Sequence, residues 1–397
     1  MKGRLPRDTE RISRIARALK AANLDALVCT LGSNVLLVSG YWPVLGNAIA
    51  MCTREGAVAV VAPEDEMEFA ERSWADHIFA FAPGSLEKLT NTLDSVPDAL
   101  CRAVQFTAGR KAVNIGHDGS GFDPSSYAAT FRYGAAIDNL LGGAFPGARR
   151  SDASDILAEL RSVLSIRELG LIRQACSIAR AAFVSIAAQI RPGKREYEIA
   201  ALLRSGLMDC REARCDGFAY CMSGPNSAKA AAAYQHTGMR TVRAGDAVLI
   251  HCNSYCSGFW TDITRTYFLK PCDAEQQAAI DAVFTASRAA IGAVKAGVKA
   301  RDVDEAARRV LRERGFGGAF KHATGHGVGF AAIHHDAKPR VHPASEDVLE
   351  SGMVFNIEPA VYIAEKWGIR QCDMVAVTPD GAELLTSFQN DASALVI

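Results

Sequence analysis

A histidine and an aspartate stand eleven residues apart in the stretch VLIHCNSYCSGFWTDITRTYFL, residues 248–269. Both flanks, AVLIH and FWTDITRTYFL, are rich in β-branched and aromatic residues. Ser257-Gly258 between them supplies turn chemistry, so the stretch is predicted to be a β-hairpin. With the turn centred on Cys256-Ser257, His251 is expected directly opposite Asp262, with Cβ atoms about 5 Å apart on one sheet face. That spacing suits two ligands of one cation, a hydrogen-bonded acid–imidazole pair for proton transfer, or an ordinary structural contact.

More such side chains follow. KHATGHGVGF, residues 321–330, carries His322 and His326 four apart, and its three glycines argue against a helix. Glycine beside histidine lets backbone approach a ligand closely, which favours a functional reading of both. AAIHHDAKPRVHP adds His334, His335 and His342, so five of the chain's nine histidines lie between 322 and 342, and some of them should line a polar site. GMVFNIEPAVYI reads as a strand whose only charge is Glu358, a carboxylate that is costly to bury unless paired, protonated or bound to a metal. WGIRQCDMVAVT reads as another strand, with Arg370 and Cys372 on one face and Gln371 and Asp373 on the other.

The elements that must hold these groups divide the chain of 397 residues in two. DTERISRIARALKAA puts Ile12, Ile15, Ala16 and Leu19 on one helical face. The β-rich LDALVCT, then SNVLLVSGY and the strand-like GAVAVVAP, continue an α/β alternation to about residue 145. GGAFPGARRSD marks a boundary, giving domains 1–150 and 151–397. Beyond it a long helical pattern runs from SDILAEL to SIAAQI and stops at Pro192-Gly193, followed by the helix REYEIAALLRSGLMD. After the hairpin the plan recurs: a helix over 274–295, Gly297, then ARDVDEAARRVLRERGF. This similarity implies a second domain of two related halves.

Composition excludes some functions. Acidic and basic residues balance at 44 each, which leaves no global field for nucleic acid or an anionic membrane. The N-terminus has no apolar signal-like core, and no run approaches the roughly 20 apolar residues of a membrane span. Eleven cysteines without a CxxC pair suggest reduced thiols and a cytoplasmic protein, with Cys29, Cys52, Cys101 and Cys176 read as small core residues.

Taken in order, SNVLLVSGY, SGPNSA (223–228), TDITRT, TGHGVG, GMVFNIEP and GIRQCD resemble the motifs of the pita-bread-fold superfamily of Xaa-Pro aminopeptidases, prolidases, methionine aminopeptidases and creatinase. The resemblance covers most of the chain. It implies an α/β N-terminal domain plus an α+β C-terminal domain with pseudo-twofold halves, a C–N hydrolase acting on a small molecule or short peptide, and a homodimer. In the metallopeptidase members two aspartates, one histidine and two glutamates hold two divalent ions. Carried over by motif, Asp262, His326 and Glu358 keep their types, whereas His251 stands for the first aspartate and Cys372 for the second glutamate. Tyr234 falls near the histidine that members place after SGPN, with His236 two residues on, and His335 near a later substrate-contacting histidine. Tyr41 and Trp42 lie where related N-terminal domains reach substrate; an aromatic pair packing at a strand end is the alternative.

Two hard carboxylates have thus become an imidazole and a thiol. The softer donors favour a single zinc or ferrous ion over manganese, drawn from His251, Asp262, His326, Glu358 and Cys372. Glu358 is then the general base, with His322 and Arg370 as candidate substrate contacts. A metal-free, creatinase-like reading instead makes His251 the base, polarised by Asp262, and Cys372 a spectator or a nucleophile. A non-catalytic binding member is the third reading.

Overall fold

The computed structural model describes residues 4–44, 48–89, 92–107, 112–119, 134–210, 214–231, 237–333 and 337–397. The chain forms two compact units, residues 1–161 and 162–397.

Unit one opens with α1 (Thr9–Ala21), started by Asp8, whose carboxylate accepts the Arg11 backbone N–H. Ile12, Ile15 and Leu19 form its buried stripe. Then come β1 (Ala26–Cys29), α2 (Gly32–Ser39), β2 (Ile49–Thr53), β3 (Val58–Pro63), α3 (Met67–Ala70), β4 (His77–Phe81), α4 (Thr92–Thr107), β5 (Asn114–His117), α5 (Gly134–Ala144), β6 (Arg149–Asp152) and α6 (Ser154–Ser162). The strands form one mixed sheet, ordered β4-β3-β2-β1-β5-β6. Its apolar face packs Val28, Met51, Val61 and Ile115 against Leu100, Val104 and Leu141 of α4 and α5. SNVLLVSGY is helical despite its β-branched content. Asp118 accepts the backbone N–H groups of Thr30 and Leu31 just ahead of α2, and Gly40 ends it with φ 74°.

Unit two contains α7 (Ile166–Ile186), α8 (Glu196–Met208), β7 (Cys215–Ser223), β8 (Ala247–Cys256), β9 (Phe259–Phe268), α9 (Ala274–Ala293), α10 (Ala300–Glu313), β10 (Gly325–His326), β11 (Arg340–Val341), β12 (Val354–Ile357), β13 (Ala360–Ile363), β14 (Trp367–Arg370), β15 (Asp373–Val377) and β16 (Ala382–Leu384). The long helix expected across 154–190 is two helices, because Ser165 makes a reciprocal capping box with Glu168 and starts α7 afresh. The segment Ile166–Gln189 is long and apolar enough to cross a membrane by length and composition, against the reading from the sequence. Here Ile172, Cys176, Phe183 and Ile186 are buried, and the helix packs on α8, β8 and β9.

The internal similarity is visible bond by bond. Gly193 (φ 92°) donates to the Val242 carbonyl, and Val242 donates back to that of Lys194. Gly297 (φ 88°) donates to Leu349, and Leu349 to Val298. In each half a left-handed glycine turns the chain between two helices and clips it to a later segment. The first half supplies the antiparallel sheet β7-β8-β9; the second supplies β12-β15-β16 and the pair β13-β14. A backbone bridge between Thr264 and Cys372 joins them.

Two expected strands are each broken in the middle. Pro359 has no N–H to continue a ladder, and the chain leaves β12 at Glu358 and re-forms as β13 in another sheet. Likewise β14 ends at Arg370 and β15 begins at Asp373 in a different sheet. The breaks aim Glu358 and Cys372 toward the hairpin β8-β9.

Candidate metal centre

The hairpin turn comprises Ser257 (φ 51°) and Gly258 (φ 87°), both left-handed, between the paired Cys256 and Phe259. Its centre lies one residue later than the sequence reading placed it. Asp262 therefore opposes Asn253, and His251 opposes Thr264. The shift alters the pairing by two positions, so the faces are preserved and His251 and Asp262 become diagonal neighbours. His251 Nδ1 lies 3.7 Å from Asp262 Oδ1.

His251 is held on both ring nitrogens. The Arg370 guanidinium, permanently charged, donates from Nη2 to Nδ1 at 3.0 Å, and the Thr264 hydroxyl lies 2.9 Å from the same nitrogen. Nε2 therefore carries the proton and donates to Asn253 Oδ1 at 2.9 Å. Burial pushes the His251 pKa down to about 4; Asp262 opposes this and Arg370 adds to it. The ring stacks on buried Tyr220 at 4.7 Å, and the Tyr220 hydroxyl accepts from Arg370 Nη2 at 2.6 Å.

On the other side of Asp262 the donors converge. The Cys372 thiol donates to the Asp262 carbonyl at 3.2 Å and lies 3.4 Å from Oδ1. One ligand atom each of Asp262, Glu358 and Cys372 lies within 4.8 Å of the other two. His326 Nε2 is 3.5 Å from Asp262 Oδ2. The orientation of His326 is set by its Nδ1–H, which donates to the Gly327 carbonyl at 3.1 Å. Its backbone N–H donates to Asn356 Oδ1 at 2.7 Å, and Asn356 Nδ2 lies 3.3 Å from Nε2. Nε2 is therefore the unprotonated nitrogen; it accepts from Asn356 Nδ2 and stands beside Asp262, so a bound cation would take its lone pair in place of that hydrogen bond.

Electrostatics separate the two carboxylates. Burial raises the Asp262 pKa, but His251, His326 and Arg370 outweigh it and hold the group below the ordinary range. Glu358 goes the other way. Burial, with the charge of Asp262 added, pushes it up to about 7 against the pull of Arg370, whose Nε is 3.9 Å from Oε2. Burial and the two nearby carboxylates push the Cys372 thiol well up, so it keeps its proton until a cation displaces it.

Not every singled-out residue joins this cluster. His322 is half-buried, with Nδ1 donating to the Ala323 carbonyl at 2.8 Å and Nε2 3.0 Å from the Tyr362 hydroxyl. His342 is exposed, and its Nδ1 accepts the Ala344 N–H, so the histidine cluster does not line one site as a whole. Tyr234, His236, His334 and His335 lie outside the described residues. In unit one, Tyr41 is buried and donates to Glu66, and Trp42 is half-buried. The glycines of TGHGVG approach backbone rather than ligand: a Cβ on Gly325 would stand 1.9 Å from the Asn356 carbonyl oxygen, and one on Gly327 would stand 2.1 Å from that of Lys338. Sequence reasoning missed Tyr220, Asn253, Thr264 and Asn356. Thr264 and Asn356 lie inside TDITRT and GMVFNIEP, whereas Tyr220 leaves no signal in the sequence. SGPNSA also has a structural duty. Buried Glu196 accepts from Ser223 and Asn226, while Ser227 Oγ accepts the Gly368 N–H at 2.7 Å and so seats the strand that ends in Arg370.

Asp262, Glu358 and Cys372 offer two carboxylates and a thiol to a single divalent ion, and the His326 imidazole stands beside Asp262 as a fourth donor that a bound cation would draw in.

Comparisons with known proteins bear on this site. The model of "Metallopeptidase family M24" matches residues 170–379. A Xaa-Pro dipeptidase of Pyrococcus furiosus is 32% identical over 237 residues, which span 60% of this chain and 66% of that protein. A Xaa-Pro dipeptidase of Pyrococcus horikoshii is 26% identical over 96% of this chain and 98% of its own length. The crystal structure of the prolidase from Pyrococcus horikoshii superimposes with a TM-score of 0.76 at 27% identity, covering 96% of this chain and 99% of that one.

Proposed function

The chain belongs to metallopeptidase family M24 and has the pita-bread fold, and from that premise we propose that it hydrolyses the C–N bond of short Xaa-Pro peptides at one divalent ion. The ion is held by Asp262, His326, Glu358 and Cys372, and zinc or ferrous iron suits this set better than manganese, since it includes a thiolate and an imidazole. The observation that carries the reading is the convergence of Asp262, Glu358 and Cys372 within 4.8 Å, with His326 Nε2 3.5 Å from the Asp262 carboxylate.

When bound, the ion supplies Lewis-acid polarisation of the scissile carbonyl. The protein supplies the rest. Glu358 titrates at about 7 in the cation-free protein; with the cation bound it is an ionised carboxylate, and its oxygen not used as a ligand is placed to take a proton from the attacking water and return it. Arg370 presents a buried positive charge beside Glu358, where negative charge develops during acyl transfer. His251 does not join the donor set in this proposal. Its Nδ1 accepts from Arg370 and its Nε2–H is spent on Asn253, so it positions the guanidinium. His322, braced by Tyr362, lies in the electrostatic reach of both Arg370 and His326 and is assigned to substrate positioning.

The test is metal analysis and turnover of protein purified without chelator. The expected result is about one equivalent of zinc or iron per chain, hydrolysis of Xaa-Pro dipeptides, and loss of that activity on chelation with recovery on adding zinc or ferrous ion. Metal below about a tenth of an equivalent, with chelator-insensitive turnover, overturns the metal assignment. Turnover of creatine-like amidines in place of dipeptides overturns the substrate class, and turnover of neither overturns catalysis.

A further inference from the structure

Three thiols that the proposed reaction does not use gather at one end of the sheet β7-β8-β9. Cys215 opens β7 and Cys256 closes β8, and the two are direct cross-strand partners. The adjoining pair, Arg214 and Ser257, is joined by a backbone bond from the Ser257 N–H to the Arg214 carbonyl at 2.8 Å. Hydrogen-bonded and non-hydrogen-bonded pairs alternate along an antiparallel ladder, so Cys215 and Cys256 occupy a non-hydrogen-bonded pair, where Cα atoms approach to about 4.5 Å. That separation lies at the short end of the range a disulfide spans. Burial, and after it the neighbouring thiols of Cys210, just beyond the C-terminus of α8, and Cys256, push the Cys215 thiol up, so the three sulfurs lie within electrostatic reach of one another.

Their surroundings separate them from the metal centre. Along β8, Cys256 shares its sheet face with Ser254 and Cys252, while His251, Asn253 and Tyr255 point the opposite way. The thiol face is the one covered by α8: a Cβ on Gly217, two residues from Cys215, would meet Leu207 of that helix and the Cys252 sulfur. Cys256 is buried, like Cys29, Cys52, Cys176, Cys221, Cys252 and Cys372, whereas Cys210 and Cys215, with Cys101 and Cys272, are partly exposed, so a small oxidant reaches the pair at Cys215.

We propose that Cys215 and Cys256 are a modification site, a cross-strand dithiol that a hydroperoxide converts to a disulfide, with Cys210 as the exchanging third thiol. One thiol gives its sulfur to the peroxide oxygen, forming a sulfenic acid and releasing water. The second thiol attacks that sulfur and expels the hydroxyl as a second water. Two thiols and one hydrogen peroxide thus give one disulfide and two waters. Cys210, as thiolate, then attacks the Cys215 sulfur, forming a Cys210–Cys215 bond and releasing Cys256, which takes up the proton. The disulfide clamps β7 to β8 beside the hairpin turn and leaves the opposite sheet face unaltered.

The experiment treats the folded full-length protein with excess hydrogen peroxide, blocks remaining thiols with N-ethylmaleimide, and maps a non-reducing digest by mass spectrometry. The expected product is a peptide pair linked through Cys215 and Cys256, with alkylatable thiols falling from eleven to nine per chain. Cys256→Ala is expected to shift the link to Cys210–Cys215, and Cys215→Ser to abolish both links without changing dipeptide turnover. The proposal is overturned if Cys215 and Cys256 are recovered separately, alkylated or over-oxidised, from protein with an unchanged circular dichroism spectrum. The wild-type map decides the matter alone should a variant misfold, and because it reads no turnover, it stands apart from the fate of the peptidase proposal.

Discussion

Two buried arginines lie near each other in unit two and serve opposite ends. Arg265 is neutralised where it stands. Its Nη2 donates to Asp373 at 2.7 Å, its Nη1 donates to the carbonyls of Thr264 and Cys372, and its plane lies 4.2 Å over the Phe388 ring. Asp373 is satisfied in turn by Thr386, Gln371 and Asn390. Arg370 is as deeply buried, yet its hydrogen bonds go to neutral groups: the Tyr220 and Thr264 hydroxyls and the His251 ring. Its closest carboxylate, Glu358, is 3.9 Å away. A saturated ion pair holds backbone in place, including the carbonyl of Cys372. An unsaturated one leaves its charge free to act on a reacting group.

The sharpest way to break this comparison is to remove the counter-ion of the saturated pair. Asp373→Asn leaves a buried guanidinium uncompensated and is expected to cost about 3–5 kcal/mol in urea unfolding. Arg370→Met should cost clearly less, and equal costs would erase the distinction drawn between the two arginines.

The next effect is a pH dependence in chelator-treated protein. Glu358 titrates near 7 when folded and near 4.5 when unfolded, so between these values the folded state holds the extra proton. Stability then falls as pH rises through that window, by up to about 3 kcal/mol. His251 opposes this. Held to about 4 in the folded state, it makes stability rise as pH goes from 4 to 6.5. A His251→Asn background should therefore expose the full decline in thermal melts, and Glu358→Gln should remove it. A decline that survives Glu358→Gln would assign it to another group.

Metal affinity sharpens the contrast between the two substituted positions. Cys372→Ala should weaken zinc binding by more than the roughly 10–100-fold typical of losing an outer partner, whereas His251→Asn should stay within that range. Competition with a chromophoric chelator reads both, and the reverse ranking would put His251 among the ligands. The smallest effect is spectroscopic. Nitrogen-15 NMR should find His251 neutral and protonated on Nε2 at pH 6. In Arg370→Met its pKa should rise, because one of the charges holding it down is gone.

Much of the architecture is legible along the chain. Alternating patterns announce the hairpin, glycine stops divide the helices, and the repeat of helix, glycine and helix foretells two related halves. The chain also shows that Glu358 is a lone charge in an apolar run and that His326 sits among glycines. Other features escaped. The break after Ser162 was written in the S-x-x-E capping box at 165–168 but was masked by continuous helical periodicity on either side. The breaks at Glu358 and after Arg370 depend on which sheet each segment joins, and a β-pattern carries no record of its partner.

What the sequence determined by itself is the inventory: one carboxylate from each half, Asp262 and Glu358, with an imidazole and a thiol at His251 and Cys372. Which of those two faces the carboxylates as a donor was decided only by tertiary structure. The turn at Ser257-Gly258 set the register that placed His251 across from Thr264, and β14, from 119 residues further along the chain, brought Arg370 to its Nδ1. At His251 the lone pair is spent on the permanent charge of Arg370, a contact between segments that local sequence does not encode.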